Sequence, residues 1–181
     1  MKIIDTLLDE VKVIELDVFH DDRGWFLENY SEEKYKALGI DNIFVQDNQS
    51  CSLHKGTLRG IHFQNAPYAQ AKLVRCLKGK ILDVFVDLRK DSPNYKKWAA
   101  VELSEENKRQ VFIPAGFGHA FITLVDDCEI YYKVDAPYSK LHDRSLRYDD
   151  PELNIQWPGD DFILSAKDKN APALAESDCN F

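Results

Sequence analysis

The chain has 181 residues, a formal net charge of −8 and a pI near 5.1. This length is enough to bury a sizeable core, and we expect residues 1–181 to form one domain. The acidic balance argues against a nucleic-acid-binding protein, because binding to phosphate backbones requires an excess of Lys and Arg. Acids interrupt the first ten residues and no apolar run approaches the length of a membrane span. We therefore expect a cytoplasmic protein with no membrane segment.

Short apolar or alternating runs, separated by turn residues, recur along the chain. The first run, residues 11–19, precedes a helix in which Ser31 is the N-cap, Glu32 and Glu33 face the positive end of the dipole, and Gly39 ends the element. The later runs are residues 43–46, 73–77, 81–88, 99–103, 111–113, 120–125 and 129–134. Many short strands at this spacing predict an all-β sandwich or barrel, with the helix packed outside it.

Three smaller features refine this prediction. Alternation is imperfect in residues 83–88, which predicts a strand covered on both faces, as in a closed or double-sheet jelly roll. Ser104 and Ser165 are each placed to cap a single helical turn. The cysteines form no C-x-x-C pair and are expected to be reduced thiols; they are Cys51, Cys76, Cys128 and Cys179.

The stretch 56–64, Gly-Thr-Leu-Arg-Gly-Ile-His-Phe-Gln, is the first with clear chemical content. It places His62 three residues after Arg59 in a segment that otherwise indicates a strand. An imidazole can exchange a proton near neutral pH beside an anion that a guanidinium anchors. This arrangement indicates an acid/base site, although a single His on an apolar strand is also typical of a hydrogen-bonded core residue.

A second motif lies at residues 114–119, Pro-Ala-Gly-Phe-Gly-His, which is similar to the P-x-G-x-x-H pattern of cupins. Cupin jelly rolls often hold a metal, through an H-x-H pair and a glutamate as further ligands. Residues 62–64 read His-Phe-Gln and supply one imidazole, so the ligand set is incomplete. We predict no metal and no other cofactor, and a metal-dependent cupin remains as an alternative.

Six ordered blocks then carry a resemblance to one family over nearly the whole chain. They are residues 22–28, 44–50, 58–64, 70–74, 113–119 and 131–133, and residues 149–151, 155–158 and 164–168 follow in the same order. In these blocks the chain resembles the dTDP-4-dehydrorhamnose 3,5-epimerases. The resemblance implies a cupin-like double-stranded β-helix, or jelly roll, with short peripheral helices, N-terminal strands and a C-terminal extension.

The resemblance also implies the reaction: inversion of carbons 3 and 5 of dTDP-4-dehydro-6-deoxy-D-glucose, without a cofactor, in dTDP-L-rhamnose biosynthesis. A hydrogen next to a ketone is acidic because its removal gives an enolate, so inversion needs a base on one face and an acid on the other. By resemblance His62 is the base, Asp168 orients it and Tyr132 is the acid. Lys72 would stabilise the enolate, although an isolated Lys is more often solvated at a strand edge.

Substrate binding is implied in the same way. Arg23 and Arg59 match the positions that bind the two phosphates, with His119 as a further polar contact. Phe26 and Tyr138 match base-stacking positions, although either could instead pack in the core. The remaining substrate-binding candidates are polar side chains that would bond the pyrimidine or sugar, or fix the loops around them: Glu28, Gln46, Asp47, Asn48, Asp143 and Lys167.

The family resemblance further implies a homodimer in which Arg23, Phe26 and Glu28 serve the neighbouring subunit's site. The loop 138–143 departs from the usual pattern, because Asp143 stands where many members have glutamate, and Ala120 stands where glycine is frequent. This loop leaves the preferred nucleotide-sugar open. Three alternatives follow: a single-carbon epimerase of another 4-keto nucleotide-sugar, a metal-dependent cupin, and a catalytically silent sugar-binding module.

Overall fold

The structure is a computed structural model that describes residues 1–181. Strands dominate it, and their bounds are β1 Lys2–Leu7, β2 Val11–Glu15, β3 Val18–Asp21, β4 Gly24–Leu27, β5 Gln46–Ser52, β6 Leu58–Gln64, β7 Lys72–Lys78, β8 Lys80–Asp87, β9 Trp98–Ser104, β10 Gln110–Ile113, β11 Phe117–Thr123, β12 Cys128–Val134 and β13 Asp143–Ser145. The helices are α1 Glu32–Ala37, α2 Ala166–Lys169 and a single 3₁₀ turn, Leu174–Glu176. The predicted all-β class with short peripheral helices is confirmed.

Two antiparallel sheets face each other. One has six strands in the order β1-β2-β10-β7-β12-β5, and the other has five in the order β13-β6-β11-β8-β9. The strands β3 and β4 form a separate hairpin outside both sheets. Consecutive strands are often not neighbours, which is typical of a jelly roll in which the chain passes between two sheets.

Alternation of side chains along the strands divides the apolar residues among three layers. Between the sheets, Val74 and Ile130 of the six-stranded sheet pack with Phe85 and Phe121 of the five-stranded sheet. The outer face of the five-stranded sheet is covered by the C-terminal extension, through residues that include Leu174. The prediction that residues 83–88 are covered on both faces is therefore confirmed.

The helix α1 covers the outer face of the six-stranded sheet. Its buried residue Tyr35 packs in a cluster with β2, β7 and β10, and the Tyr35 hydroxyl donates a hydrogen bond to Gln110. Ser31 occupies the N-cap position as predicted, but its side chain makes no capping hydrogen bond. At the other end Gly39 has a φ of +70°, a left-handed conformation that glycine accepts without a steric cost.

Three details of the predicted strands are wrong. Residues 43–46 do not form a strand, because Ile43 and Val45 are exposed and the strand begins only at Gln46. The run 11–19 divides into β2 and β3, and the run 120–125 ends at Thr123. The strand β5 has few apolar residues because it lies at a sheet edge with one face exposed, so hydrophobic alternation does not reveal it.

The two smaller turns differ from each other. Ser165 caps α2, because its Oγ accepts a hydrogen bond from the Asp168 backbone N–H at 3.1 Å. Ser104 accepts the same kind of bond from Asn107, also at 3.1 Å, but the segment forms a turn and no helix follows. All four cysteines are free, and only Cys51 is exposed. No helix is long and apolar enough to cross a membrane.

The strand pair β6 and β11, which carries two histidines of the site, depends on Gly60. A Cβ at position 60 would lie 2.4 Å from the Ala120 Cβ and 2.7 Å from the His119 carbonyl oxygen. Gly60 also has a φ of +131°. Only glycine allows this close approach, so the methyl of Ala120 fits where the sequence departs from the family's frequent glycine.

Candidate active site

A cavity of about 760 Å³ opens between the two sheets. It brings together most of the side chains that the sequence predicts for the site. Those that line it are Gln46, Asn48, Arg59, His62, Lys72, His119, Tyr132, Tyr138, Asp143, Lys167 and Asp168. Since these residues come from both sheets and from the C-terminal extension, the jelly roll assembles the site from distant parts of the chain.

On the five-stranded sheet, His62 is bound to a carboxylate. Its Nε2 lies 2.6 Å from Asp168 Oδ1. Burial is the largest single influence on the Asp168 carboxyl group and acts to raise its pKa. The hydrogen bond and charge of His62, the hydrogen bond from Ser165 and the charge of Lys167 together outweigh burial, so the pKa is lowered. An ionised carboxylate only accepts hydrogen bonds, so the proton lies on Nε2 and Nδ1 of a neutral His62 is free to accept a proton.

The neighbouring chain segment brings Asp168 to this position. Residues 163–168 run beside the start of β6, where the Leu58 backbone N–H donates to the Ile163 carbonyl at 3.0 Å and the Ile163 N–H donates to the Gly56 carbonyl at 2.9 Å. The helix α2 follows directly and contacts β6. The C-terminal extension is thus hydrogen-bonded to the strand that carries His62.

Lys72 and Tyr132 lie on the opposite sheet, in β7 and β12. Lys72 is only 8 % exposed, so the alternative of a solvated strand-edge lysine is wrong. Burial disfavours its ammonium form and lowers the pKa of Lys72 to about 8. Burial likewise raises the pKa of the Tyr132 hydroxyl, which stays protonated at neutral pH. The structure therefore places a candidate base and a candidate acid on facing sheets.

A second histidine and carboxylate lie beside the first pair. His119 is the cross-strand partner of His62, and its Nε2 lies 2.9 Å from Oδ2 of Asp83, which is fully buried. Burial lowers the pKa of His119, while Asp83 opposes this effect. Asp83 is a residue that the sequence prediction missed. The sequence feature that could have revealed it is an aspartate within the apolar strand 81–88, where an unpaired charge would be costly.

Arg59 lies on the same strand as His62 and is held by the facing sheet. Its Nε donates to Ser52 Oγ at 3.1 Å and one terminal nitrogen donates to the Cys51 carbonyl at 2.9 Å. These bonds fix the guanidinium at the cavity wall near the phenol of Tyr132. The positive charge of Arg59 acts to lower the pKa of Tyr132 and so partly opposes the effect of burial. A fixed guanidinium is suited to bind a phosphate.

Three glutamines hold the loop that leads into Tyr138. Gln70 donates to the Ala136 carbonyl at 2.7 Å, and Gln46 accepts from the Tyr138 N–H at 3.1 Å. Gln64, which is buried, donates to the Pro137 and Tyr68 carbonyls. Its carbonyl oxygen accepts from the Ser139 N–H at 2.6 Å. Gln46 thus fixes a loop at the cavity, and Gln64 and Gln70 are further cavity residues that the sequence prediction missed.

The loop 138–143, whose sequence differs from the usual family pattern, ends at a charged cluster. Asp143 accepts from the Lys167 ammonium at 2.7 Å and from the Tyr138 hydroxyl at 3.3 Å. Tyr138 is 58 % exposed at the cavity, so the core-packing alternative for this residue is wrong. Asp143 therefore brings together three predicted substrate-binding residues, itself included, at one end of the cavity.

Four predicted binding residues do not line the cavity. Asp47 lies on the opposite face of β5 from Gln46 and Asn48, because side chains alternate along a strand, and its carboxylate binds Tyr131 and Lys133. Asp47 therefore does not line the cavity of its own subunit.

The other three lie in or beside the β3–β4 hairpin. Arg23 pairs with Asp21, Glu28 pairs with Lys34, and Phe26 is 67 % exposed. The core-packing alternative for Phe26 is therefore wrong. The hairpin belongs to neither of the two large sheets, and these three residues do not line the cavity of their own subunit.

The chemistry of the histidines bears on the metal alternative. The structure brings no three His, Cys, Asp or Glu side chains together in a group that could hold a metal ion. The Nε2 atoms of His62 and His119 are instead directed at single carboxylates.

Residues 5–176 match the model of one protein family, dTDP-4-dehydrorhamnose 3,5-epimerase. A curated relative of this name from Sinorhizobium fredii is 49 % identical over 173 residues, which cover 95 % of this chain and 89 % of the relative. The chain belongs to the dTDP-4-dehydrorhamnose 3,5-epimerase family. The predicted family, which consists of isomerases, is confirmed.

Solved structures agree with this assignment. The dTDP-4-dehydrorhamnose 3,5-epimerase of Bacillus anthracis, with TDP and PPi bound, has a TM-score of 0.93 and 47 % identity, and covers 95 % of this chain and 98 % of its own. An epimerase of Legionella pneumophila in complex with dTDP-4-keto-L-rhamnose has a TM-score of 0.93 and 44 % identity, covering 98 % and 94 %. A 3′-monoepimerase of Streptomyces bikiniensis with dTDP-quinovose is less similar, at 0.85 and 38 %, covering 91 % and 84 %.

Proposed function

We propose that this chain inverts carbons 3 and 5 of dTDP-4-dehydro-6-deoxy-D-glucose to give dTDP-4-dehydro-L-rhamnose, a step of dTDP-L-rhamnose biosynthesis. The observation that carries the proposal is the pairing of a carboxylate-bound imidazole, His62, on one sheet with Lys72 and Tyr132 on the other. Inversion next to a ketone needs these three functions: a base, a cation near the developing oxyanion, and an acid on the opposite face.

The reaction begins when the free Nδ1 of His62 takes the proton from the carbon next to the ketone. The C–H bond breaks and its electron pair moves to the ketone oxygen, which becomes an enolate. Asp168 stabilises the resulting imidazolium through the 2.6 Å contact with Nε2. The imidazole thereby gains a proton without leaving an uncompensated charge in the cavity.

Lys72 and Tyr132 complete the inversion. The Lys72 ammonium stabilises the enolate oxygen, and a buried cation does this more strongly than a solvated one because the local dielectric is low. The Tyr132 hydroxyl then delivers its proton to the opposite face of the carbon. The phenolate regains a proton from solvent and the His62 imidazolium releases its proton to solvent, which restores the acid and the base. The same sequence at the second carbon completes the product, and the chemistry uses no redox cofactor.

Binding of the nucleotide involves both ends of the cavity and a second subunit. Arg59 and Arg23 bind the phosphates, with His119 as a further polar contact, while Tyr138, Asn48 and Lys167 contact the rest of the substrate. Arg23, Phe26 and Glu28 extend from the β3–β4 hairpin into the site of a partner, so the active enzyme is a homodimer. Residues 1–181 act as one catalytic domain of a cytoplasmic enzyme.

The single-carbon epimerase is the nearest alternative, since the 3′-monoepimerase of Streptomyces bikiniensis has a similar fold. It is not favoured, because the more similar curated relatives carry the 3,5-epimerase name. A metal-dependent cupin and a silent binding module are not favoured either, because the histidines pair with carboxylates and the acid/base set is complete.

The proposal is tested by exchange of substrate hydrogens with deuterated solvent. We expect His62→Ala to abolish deuterium uptake while binding of dTDP stays within a few-fold of the unchanged protein, because the phosphate-binding Arg59 remains. Loss of a positioned base typically costs about 10²–10⁴-fold in rate. Deuterium uptake that continues at the unchanged rate in His62→Ala would contradict the role of His62 as the base.

A further inference from the structure

Ser165 binds the oxygen of Asp168 that His62 does not use. Its Oγ donates a hydrogen bond to Asp168 Oδ2 at 2.8 Å, while His62 Nε2 contacts Oδ1 at 2.6 Å. The same Oγ accepts from the Asp168 backbone N–H at 3.1 Å. One hydroxyl therefore caps α2 and also binds the carboxylate on the face away from the imidazole.

These contacts determine how the carboxylate is oriented. A carboxylate held at one oxygen can still rotate about its Cβ–Cγ bond, whereas donors at both oxygens fix its plane. Asp168 is only 3 % exposed, so water has little access to replace a lost donor. Ser165 itself is exposed.

We propose that Ser165 is a positioning residue of the epimerase, the third member of a hydrogen-bonded chain Ser165–Asp168–His62 that orients the base. The proposal rests on the proposed function, in which His62 is the base. The serine O–H also draws negative charge toward Oδ2. Its removal leaves more of the carboxylate charge facing the imidazole, which favours the protonated base.

The charges around Asp168 stay in place when Ser165 is changed to another uncharged residue. His62 faces the carboxylate from β6, and Lys167 faces it from α2. Beyond these, Asp143 binds Lys167, and His119 with its partner Asp83 lies across the strand pair from His62. A change in pH dependence in the uncharged variant Ser165→Ala therefore arises from the lost hydroxyl contact.

Three substitutions separate the two roles of the hydroxyl. Ser165→Ala removes both hydrogen bonds, Ser165→Thr retains both, and Ser165→Asp can still cap the helix but has no proton to donate to Asp168 at neutral pH. We expect Ser165→Ala to lower kcat by roughly tenfold to a hundredfold, as for a lost hydrogen bond to a charged group. We also expect it to move the acid limb of the pH profile of kcat/KM to higher pH.

Ser165→Thr is expected to restore both the rate and the acid limb, and Ser165→Asp to restore neither. An unchanged kcat and acid limb in Ser165→Ala would overturn the proposal. Restoration by Ser165→Asp as complete as by Ser165→Thr would also overturn it, because Ser165 would then act only as a helix cap. Thermal unfolding of each variant shows whether it is folded at the assay temperature.

A second readout does not depend on turnover. The downfield proton NMR resonance of the His62 imidazole N–H reports its hydrogen bond to Asp168 directly. We expect this resonance to shift in Ser165→Ala and return in Ser165→Thr, and an identical resonance in all variants would contradict the proposal. If the unchanged protein fails to turn over the nucleotide-sugar, the proposed function fails, and the resonance still decides the role of Ser165.

Discussion

Individual ionisable groups in the cavity are held in different charge states by their surroundings. Burial acts to raise the pKa of Asp168, but the contacts with His62 and Ser165 and the charge of Lys167 together outweigh it and lower this pKa. For Lys72, burial is larger than the opposing charges of Asp83 and Asp143 and lowers the pKa to about 8. The first effect keeps an anion beside the base. The second makes the cation of the site sensitive to mildly alkaline pH.

This sensitivity predicts the alkaline limb of the reaction. The Lys72 ammonium is the form that stabilises an enolate, and its charge is lost as the pH rises through its pKa of about 8. We therefore expect kcat/KM to fall above that pH. The pH profile of the free enzyme checks this, with Lys72→Arg as the matched control, since a guanidinium stays protonated and the limb should disappear from whatever activity remains. If kcat/KM stays constant up to about one pH unit above the Lys72 pKa of about 8, the role of Lys72 is contradicted.

Tyr132 makes a prediction of another kind. The phenol acts after the proton has left, so Tyr132→Phe is expected to slow formation of the inverted product more than it slows deuterium uptake. Both rates can be followed in one sample by proton NMR. Since Tyr131 lies on the other face of β12 and binds Asp47, Tyr131→Phe is the matched control and should leave both rates close to those of the unchanged protein. An equal collapse of uptake and inversion in Tyr132→Phe would argue against its role as the acid.

At the scale of the strands, alternation explains both the successes and the failures of the sequence prediction. The strands β7 and β8 are rich in apolar residues that pack between or behind the sheets, so their pattern is visible in the sequence. The edge strand β5 is polar, and its pattern carries no such signal. The same alternation separates Asp47 from Gln46 and Asn48, which a run of family-matched residues does not reveal.

The catalytic candidates were predictable because they lie in motifs, while their supporting contacts were not. The bonds of Asp83, Gln64 and Ser165 depend on which strands face each other and on where side chains point. The spacing of residues in the sequence shows neither which strands face each other nor where their side chains point. Asp83 had a weak signal, since an aspartate among apolar strand residues needs a buried partner.

The glutamines around the loop 136–139 lead to a prediction at this scale. Gln64→Leu removes the donor to the Pro137 and Tyr68 carbonyls and the acceptor for the Ser139 N–H. Loosening this loop should raise KM for the nucleotide-sugar several-fold while kcat changes little. Buried groups left without partners should also lower the free energy of unfolding by about 1–3 kcal/mol.

Steady-state kinetics and denaturant unfolding check both effects. The control is Gln49→Leu, because Gln49 is exposed and bonds only Glu129, outside the cavity. If Gln64→Leu lowers kcat but leaves KM unchanged, the loop does not act through substrate binding.

At the scale of the whole molecule, the β3–β4 hairpin is the element that the single chain leaves without a partner. Large apolar side chains on it are exposed, namely Phe19, Trp25 and Phe26. Exposed apolar surface of this kind is typical of an interface. In the proposed homodimer the partner subunit covers this surface, and the hairpin brings Arg23 to the partner's cavity.

Hybrid dimers test this arrangement. We expect Arg23→Ala and His62→Ala proteins each to be almost inactive. If Arg23 serves the partner's site, a refolded equimolar mixture contains dimers in which one site has both native residues, and activity returns to roughly a quarter of the unchanged protein's. The control is a mixture of His62→Ala with Asp168→Ala, whose residues belong to one site of one chain and should not complement through the hairpin.

In that control, one subunit of each hybrid lacks His62 and the other lacks Asp168, so no site is complete. Activity that returns only in the Arg23 mixture supports the shared site. A mixture of Arg23→Ala and His62→Ala that remains inactive, although mixed dimers are present by native mass spectrometry, would contradict it.

The central claim is double deprotonation of a 4-keto nucleotide-sugar. The most direct measurement is proton NMR of dTDP-4-dehydro-6-deoxy-D-glucose with the protein in deuterium oxide, without added metal or nicotinamide, following the signals of the hydrogens at carbons 3 and 5. We predict that both signals disappear as the inverted product forms, and that neither is lost with His62→Ala. Loss of one signal alone, or of neither, with the unchanged protein would contradict the account.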